Sequence, residues 1–219
     1  MNLSNDAAFV PALRFRWLTP LYDSVVRMTT RERAFKTALI QQLDLAKESR
    51  VLDVGCGTGT LTLWLKQHQP DAAVTGLDGD PQTLAIAASK ARSLSLDVRL
   101  SEGLSYDLPF PDESFDCVIS SLFFHHLTWT DKLRTAREMS RVLRPGGAIH
   151  IADWGRPSNS LMRAAFFLVQ LLDGFANTRD HVVGWLPRVL DEAGFEVVSV
   201  TRQIDTPLGT IALIRGRKP

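Results

Sequence analysis

The sequence predicts an α/β protein with a doubly wound, Rossmann-like and mostly parallel seven-stranded sheet, helices on both faces, and an antiparallel last strand. Three observations support this class. Strand-like and helix-like segments alternate along most of the chain. The strands are continuous apolar runs, which is typical of parallel sheets covered on both sides. A glycine-rich turn follows the first strand and opens a helix.

The first elements in the chain are expected to be helical. Pro20 breaks or begins a helix within 9–28, a segment of scattered aromatic and aliphatic residues. Thr30 is the expected N-cap of a helix over 31–43, in which four apolar side chains share one face. These side chains are Phe35, Leu39, Ile40 and Leu43. Residues 1–45 are therefore predicted to form an N-terminal helical cap segment.

The apolar pattern then changes to that of an alternating sheet. Short apolar runs predict strands at 50–54, 73–77, 97–100, 115–120 and 148–152. Helices are expected between them, at 60–67, 82–92 and 131–143. The second of these helices has Pro81 in its first turn, where a missing N–H is tolerated. An Arg-Pro-Gly-Gly turn at 144–147 leads into the fifth strand.

The C-terminal part adds a long apolar helix. Helices are predicted over 160–176 and 183–193, the latter closed by Gly194, followed by strands over 195–201 and 210–215. The segment 161–175 is apolar on nearly every side, so it must be buried or cover something apolar. It could pack on the sheet edge or on a partner in a homodimer, form an inserted lid over 155–180, or touch a membrane peripherally. No composition shift divides the chain, so 1–219 is predicted to be one domain.

Composition excludes several classes of protein. Apolar residues make up 45% and charged residues 22%, as in ordinary globular proteins. The net charge of +1 gives no reason to expect a nucleic-acid partner. Cys56 and Cys117 are too few for a disulfide framework and lack metal-site spacing, so we expect no metal and a reducing, cytoplasmic setting. No secretory signal and no transmembrane segment of ~20 apolar residues is recognisable.

The glycine turn of residues 53–59, Asp-Val-Gly-Cys-Gly-Thr-Gly, indicates a ligand site. Glycines permit a sharp turn and close approach of a ligand, and the following helix offers N–H groups at its start. In a dinucleotide fingerprint the third glycine would stand at Thr60, whereas here it comes one residue early, at Gly59. Asp78, at the end of the second strand, can accept hydrogen bonds from both ribose hydroxyls. Alone, these features fit any adenosine-containing ligand.

Five motifs in order resemble a known family. They are 51–59, 76–78 (Gly-Leu-Asp), 107–111 (Asp-Leu-Pro-Phe-Pro), 114–116 (Ser-Phe-Asp) and 141–147 (Arg-Val-Leu-Arg-Pro-Gly-Gly). Together they resemble class I S-adenosylmethionine-dependent methyltransferases, in particular the small-molecule branch with the ubiquinone/menaquinone C-methyltransferases (methyltransferase type 11). The resemblance implies S-adenosylmethionine as cofactor and transfer of its methyl group to a small, apolar or aromatic acceptor that is quinone-like or lipid-like.

The resemblance also implies roles on the methionine side of the cofactor. Asp53 would orient the ammonium group through water, and backbone around Ser120 would complete this part of the site. The methionine portion would lie on four positions of the glycine turn. These are Gly55, Cys56, Gly57 and Gly59.

On the adenosine side, the resemblance gives Asp78 the ribose hydroxyls and places Gly79 and Asp80 beside the adenine. Relatives usually carry an acid for the adenine amine where this chain has Leu104. Ser105 would contribute only its backbone. Adenosine binding is then expected to depend more than usual on Asp78.

Three residues are candidates for the chemistry. His125, His126 and Asp153 follow the fourth and fifth strands, at the edge where open α/β sheets bind ligands. An acceptor that carries a proton needs a base, and histidine exchanges protons near neutral pH. Alternatively, one histidine faces solvent, the other packs a turn, and Asp153 caps its own turn. A flat acceptor would suit four aromatic residues, Trp17, Tyr22, Phe124 and Trp154.

Two other functions remain open at this point. A non-catalytic S-adenosylmethionine-binding sensor or assembly protein would keep the same glycines. An NAD-dependent oxidoreductase conflicts with the glycine spacing and with the later motifs.

Overall fold

The computed structural model of the protein describes residues 30–219 and, within them, all side chains except those of Leu172 and Asp173. Most of the expected N-terminal cap segment, including Trp17 and Tyr22, lies outside the described residues. None of the described helices is long and apolar enough to cross a bilayer.

Seven strands form one sheet. They are β1 (Arg50–Val54), β2 (Ala73–Asp78), β3 (Arg99–Glu102), β4 (Phe115–Ser121), β5 (Leu143–Trp154), β6 (Glu196–Thr206) and β7 (Gly209–Arg217). Their order is β3-β2-β1-β4-β5-β7-β6. Neighbours from β3 to β5 pair in parallel, and β7 runs antiparallel to both β5 and β6. The predicted fold class is confirmed.

Helices cover both faces of the sheet. They are α1 (Glu32–Gln41), α2 (Thr60–His68), α3 (Pro81–Ser93), α4 (Trp129–Val142), α5 (Ser160–Asp173), α6 (Phe175–Val183) and α7 (Leu186–Glu192), with a 3₁₀ turn at Phe124–His126. Alternate residues of β1 enter opposite halves of the core. Leu52 packs in a cluster with residues of α4 and α7, whereas Val51 packs with residues of α1, α2 and α5.

The chain enters α1 differently from the expectation. The N-cap is Arg31 rather than Thr30, in a left-handed conformation (φ 53) and without a side-chain cap, and the helix ends at Gln41. The Arg31 guanidinium donates a hydrogen bond to the Asp205 carbonyl at 3.1 Å. This contact with β6 fixes the entry angle, which local capping preferences could not reveal.

Strand register corrects two further boundaries. β3 lies two residues later than predicted, because it pairs with β2 from Thr75↔Arg99 to Asp78↔Glu102. The Arg-Pro-Gly-Gly segment is part of β5 and not a separate turn. β5 advances from Leu143 to Ala148 while β4 advances only from Phe115 to Cys117, so residues 144–147 bulge out of the ladder.

Glycines divide the C-terminal helices differently from the prediction. α5 stops at Asp173 before Gly174 (φ 91), and Gly184 (φ 76) ends α6, a helix that was not predicted. The helix predicted over 183–193 is present, but it is shorter and begins at Leu186. α7 starts anew with Pro187 in its first turn. α5 is also not buried all round: Phe166 and Val169 are buried, but its opposite side is exposed.

Candidate active site

The predicted site residues converge on the carboxyl edge of the sheet. The chain passes from β1 outward to β2 and β3, then crosses to β4 on the other side of β1. Such a switch point opens a crevice beyond the strand ends. A separate cavity of about 470 Å³, bordered by Arg50, Ala73 and Phe115, lies at the opposite, amino-terminal edge and is not this crevice.

The glycine turn is built for close approach. Gly55, Gly57 and Gly59 have φ of 72°, 53° and 77°, the region that favours glycine. A Cβ on Gly55 would lie 2.4 Å from the Phe123 ring, and one on Gly59 would lie 2.8 Å from Ala87 Cβ. A Cβ on Gly57 would meet nothing within 4 Å. Gly55 and Gly59 therefore serve packing, while Gly57 borders open space that a ligand can fill.

Backbone hydrogen bonds hold this turn against the end of β2. The N–H groups of Gly55 and Cys56 donate to the Leu77 carbonyl at 2.8 and 3.0 Å. The Gly57 N–H donates to Asp78 Oδ2 at 2.8 Å. Burial raises the pKa of the Cys56 thiol, so this cysteine fills the turn as a neutral group.

Asp53 is a buried carboxylate beside the cradle. Its Oδ2 accepts a hydrogen bond from Thr62 Oγ1 at 2.6 Å, whereas its Oδ1 is buried without a hydrogen-bond partner among the described residues. Burial raises the pKa of Asp53 to about 6, although the Thr62 hydrogen bond opposes the shift. An orphaned carboxylate oxygen next to an open glycine fits a ligand with a cationic group.

Asp78 is half-buried, and hydrogen bonds from neighbouring residues fix the orientation of its carboxylate. Its Oδ1 accepts from the Asp80 N–H at 2.9 Å and from Thr83 Oγ1 at 3.4 Å, in addition to the Gly57 contact on Oδ2. Burial raises its pKa, and the backbone hydrogen bonds lower it in part. A carboxylate has about four acceptor positions, so one position on Oδ2 remains for a hydroxyl donor, and the 3.4 Å contact of Thr83 on Oδ1 is long. Asp80 caps α3 by accepting from the Gln82 N–H, and Gly79 lies between the two acids.

Leu104 and Ser105 lie near the same strand end. The preceding Gly103 donates its N–H to the Asp78 carbonyl at 3.1 Å. The Leu104 side chain is exposed, so it offers an apolar surface where an acid was expected from relatives. The Ser105 hydroxyl is buried and hydrogen-bonds Thr135 Oγ1 at 2.8 Å, which engages it with α4.

Ser120 closes the crevice from the β4 side. Its side chain is fully buried, and its hydroxyl donates to the Val54 carbonyl at 2.7 Å. The hydroxyl therefore ties β4 to β1 across the switch point, directly before the glycine turn.

His125 and Asp153 form a buried pair. His125 Nδ1 lies 2.7 Å from Asp153 Oδ1. The other carboxylate oxygen accepts the N–H groups of Phe123 and Phe124 at 2.9 and 2.7 Å, and Oδ1 also accepts the Trp154 N–H. Burial alone would raise the pKa of Asp153. The adjacent His125 and these hydrogen bonds outweigh it and hold the pKa well below its usual range. Asp153 thus stays anionic and positions the 3₁₀ turn and the imidazole together.

Two further histidines surround this pair. The His126 ring centroid lies 4.0 Å from that of His125, and burial, then the neighbouring His125, lowers the pKa of His126. His181 on α6 is fully buried, with Nδ1 2.6 Å from the Trp154 carbonyl. Its ring lies 6.3 Å from His125, and burial lowers its pKa. Both rings are therefore neutral near pH 7.

A buried ion pair supports the same cluster. Lys132 Nζ lies 2.6 Å from Asp180 Oδ2 and donates to the Asn177 carbonyl at 2.7 Å. Asn177 donates to the His126 carbonyl, which joins α6 to the 3₁₀ turn. Sequence reasoning missed His181, Lys132 and Asp180. These residues lie in the helices Trp129–Val142 and Phe175–Val183, which carry many polar residues, so nothing in the sequence singled them out.

Within residues 30–219, no three or more His, Cys, Asp or Glu side chains are arranged to hold a metal ion. Cys117 is buried in the core, where burial raises its pKa to about 12.

The crevice at the switch point is that of a Rossmann-like protein that binds an adenosine-containing cofactor. A family model described as a methyltransferase domain matches residues 51–147. The chain is 34% identical over 156 residues to a demethylmenaquinone methyltransferase of Deinococcus radiodurans (70% of this chain, 64% of that protein). It is 36% identical over 165 residues to the protein of the same name from Thermus thermophilus (71% and 69%).

A solved structure agrees on the fold. A putative methyltransferase from Bacillus halodurans superimposes with a TM-score of 0.66 at 20% identity, over 84% of this chain and 98% of that one. The chain belongs to the class I S-adenosylmethionine-dependent methyltransferases, and S-adenosylmethionine is its cofactor. This confirms the family resemblance and sets aside the NAD-dependent oxidoreductase. The alignment covers just under two thirds of the Deinococcus protein.

Proposed function

We propose that this protein methylates a small apolar or aromatic acceptor of the quinone type, in its reduced, hydroxylated form. One observation carries the proposal: residues 123–126 connect the cofactor cradle to the His–Asp pair. The Phe123 ring packs on Gly55, its N–H is bonded to Asp153, and His125 follows two residues later. A proton-accepting ring therefore stands beside the cofactor site. The similarity to demethylmenaquinone methyltransferases supports the quinone class.

The cofactor-binding roles follow from the contacts of the crevice. When bound, S-adenosylmethionine supplies an activated sulfonium methyl group. Gly57 leaves space for the methionine portion of the cofactor. Asp53 Oδ1, which is buried without a hydrogen-bond partner among the described residues, is the negative group available to the cofactor's ammonium group. The remaining acceptor position on Asp78 Oδ2 suits one ribose hydroxyl, and a second hydroxyl could replace the long Thr83 contact on Oδ1.

The acid–base role falls to His125. Because Asp153 stays anionic and accepts from Nδ1, the ring proton is held on Nδ1, and Nε2 is the nitrogen that takes up a proton. A phenolic acceptor becomes a stronger nucleophile when its hydroxyl proton is removed, so we assign that proton to His125 Nε2. Asp153 then stabilises the imidazolium and acts as a positioning residue. Burial lowers the pKa values of His126 and His181, so these two rings line the proposed acceptor site as uncharged groups.

The acceptor's cover is proposed to be the segment 155–180, as a lid. Phe166 of α5 packs on Trp154, with ring centroids 5.4 Å apart, and α6 carries His181 toward the His125 ring. Phe124 is fully buried in the core, so it supports the site from below instead of stacking on the acceptor.

Labelled methyl transfer tests the function. The full chain is incubated with methyl-labelled S-adenosylmethionine and the reduced form of demethylmenaquinone, with menaquinone, already methylated, as the matched control. Label is expected in the lipid extract of the first reaction alone. Calorimetric binding of the cofactor without label on any reduced quinone or aromatic acceptor would instead favour the non-catalytic sensor.

Cofactor affinity is expected to fall as the pH drops below about 6. Burial raises the pKa of Asp53 to about 6, so the carboxyl is anionic above that pH and neutral below it. The cofactor's ammonium group binds the anion, so Kd should rise toward tenfold per pH unit on the acid side. Calorimetry between about pH 5 and about pH 7.5 measures this, within the range where an α-amino group stays charged.

Asp53→Asn should weaken binding at neutral pH and remove the pH dependence. Asp191→Asn, at an exposed position on α7, is the control and should keep the wild-type profile. An Asp53→Asn variant that retains the same pH dependence would show that another group titrates.

A further inference from the structure

The outer sides of α5 and α6 form one exposed apolar surface. Its large side chains are between 45% and 71% exposed. They are Leu161, Phe167, Leu168, Leu171, Phe175 and Val183. We call this set, with Arg163 and Arg179, the lid surface. Exposed apolar residues that cluster in this way mark interaction sites.

Helix geometry makes the lid surface continuous. At 100° per residue, Leu161, Leu168 and Leu171 share one side of α5, with Phe167 next to them and Arg163 at the border. On α6, Phe175, Arg179 and Val183 are spaced four apart and share one side. The Phe167 and Phe175 rings meet at 5.6 Å between centroids, which joins the two helices.

Charge around the lid surface has one sign. Between residues 155 and 188, the exposed charged side chains that the structure describes are all arginines: Arg156, Arg163, Arg179 and Arg188. Arg188 forms an ion pair with Glu192 at 2.7 Å, so the excess of cations comes from the first three. Asp180 in the same stretch is buried and paired with Lys132. The whole chain carries only +1, so this local excess of cations is a feature of the surface. Trp185, also exposed, lies beneath Arg188 with the guanidinium 5.6 Å from its ring.

We propose that the lid surface docks on an anionic lipid bilayer. Apolar side chains with arginines along their border are the composition of interfacial helices, in which the apolar side enters the acyl boundary and the cations meet lipid phosphates. A symmetric contact with a second copy would bring the surface against itself and oppose arginines with arginines. Residues 1–29 contain Arg14, Arg16 and Arg27 against Asp6 and Asp23, so they offer no acidic excess to match it.

Docking of the lid surface on a bilayer would give an apolar acceptor access to the active site from the membrane. The inner side of α6 carries His181 next to His125, while its outer side belongs to the lid surface. A membrane-dissolved acceptor would reach the site without crossing water. That consequence rests on the proposed function, whereas the docking itself rests on the exposure and charge of the surface.

Vesicle co-sedimentation of the full chain tests the docking. Binding is expected to phosphatidylglycerol vesicles, to weaken with salt, and to be much weaker for phosphatidylcholine vesicles. The double variant Arg163→Gln/Arg179→Gln should bind about 30-fold more weakly, because each lost arginine leaves about one fifth of the affinity. Phe167→Ser/Leu171→Ser should abolish binding.

Matched controls come from exposed positions of the edge strand β6, outside the lid surface. Val197→Ser removes an apolar side chain of β6 that is 79% exposed, and Arg202→Gln removes an exposed arginine of the same strand. Both should bind vesicles like the wild type. Equal losses in the control and lid variants, no vesicle binding by the wild type, or a dimer in sedimentation velocity that Phe167→Ser/Leu171→Ser dissociates, would overturn the proposal. Methyl transfer is not measured, so this outcome is independent of the proposed function.

Discussion

Replacing Gly57 by leucine is expected to remove cofactor binding while the protein stays folded. A Cβ at this position meets nothing within 4 Å, so the side chain can be accommodated by the protein itself. It would, however, occupy the open space that borders the glycine turn. We expect Kd for S-adenosylmethionine to rise at least about 100-fold, equivalent to about 2.7 kcal/mol of binding free energy. Calorimetric titration measures the change.

The backbone strain of this variant has a matched control. Gly57 has φ 53, and a leucine in this left-handed region costs about 1–2 kcal/mol of stability. Gly146, in the β5 bulge, has φ 73 and likewise nothing within 4 Å of a Cβ. Gly146→Leu should therefore lower the melting temperature by a similar amount and leave Kd unchanged. Equal losses of affinity in both variants would mean that strain, and not the cradle, controls binding.

A side chain at Gly55 would disturb packing within the protein, whereas one at Gly57 would block the ligand space. The three glycines of the motif therefore have different roles. A Cβ on Gly55 would overlap the Phe123 ring at 2.4 Å. The sequence motif predicted all three glycines as one cradle. Only their surroundings separate Gly55 and Gly59, which are needed for packing, from Gly57, which faces open space.

Most of the sheet could be predicted because its information is local. β1 is a short strand with three apolar residues, Val51, Leu52 and Val54, before a glycine turn, and it lies at Arg50–Val54 as expected. β3 could not be positioned from its own residues, because its register is set by pairing with β2. The cap of α1 was wrong for a related reason: Arg31 is held by a carbonyl 174 residues away.

The candidate site likewise contains residues that the local sequence positions and residues that only tertiary packing brings together. Asp53 and Asp78 follow their strands directly, so the motif positions them. The bond between His125 and Asp153 spans 28 residues, and the pair between Lys132 and Asp180 spans 48. The positions of His125 and Asp153 after their strands indicated polar chemistry there, whereas Lys132 and Asp180 were missed. Which partner each residue meets depends on how α6 packs over the 3₁₀ turn. The exposure of α5 was also hidden, because its composition is apolar on nearly all sides.

Replacing His125 by asparagine is expected to lower turnover by about 10²- to 10⁴-fold, the usual contribution of a general base. The asparagine amide can still donate to Asp153 near the position of Nδ1, so the buried carboxylate keeps a partner. No group then accepts the acceptor's proton. Because the cradle is untouched, Kd for S-adenosylmethionine should change by less than about threefold. Single-turnover kinetics with labelled cofactor and calorimetry measure the two quantities.

The pH profile separates a base from a structural support. A phenolic hydroxyl ionises by itself near pH 10, as tyrosine does, so the deficit of His125→Asn should shrink as the pH rises toward that value. A purely structural histidine would give a deficit that is constant with pH. His68→Asn, at the exposed end of α2, is the control and should keep full turnover. Replacing His126 as well should add little, since burial lowers its pKa and makes its ring a weak proton acceptor. A double variant with full turnover would exclude both histidines from the chemistry.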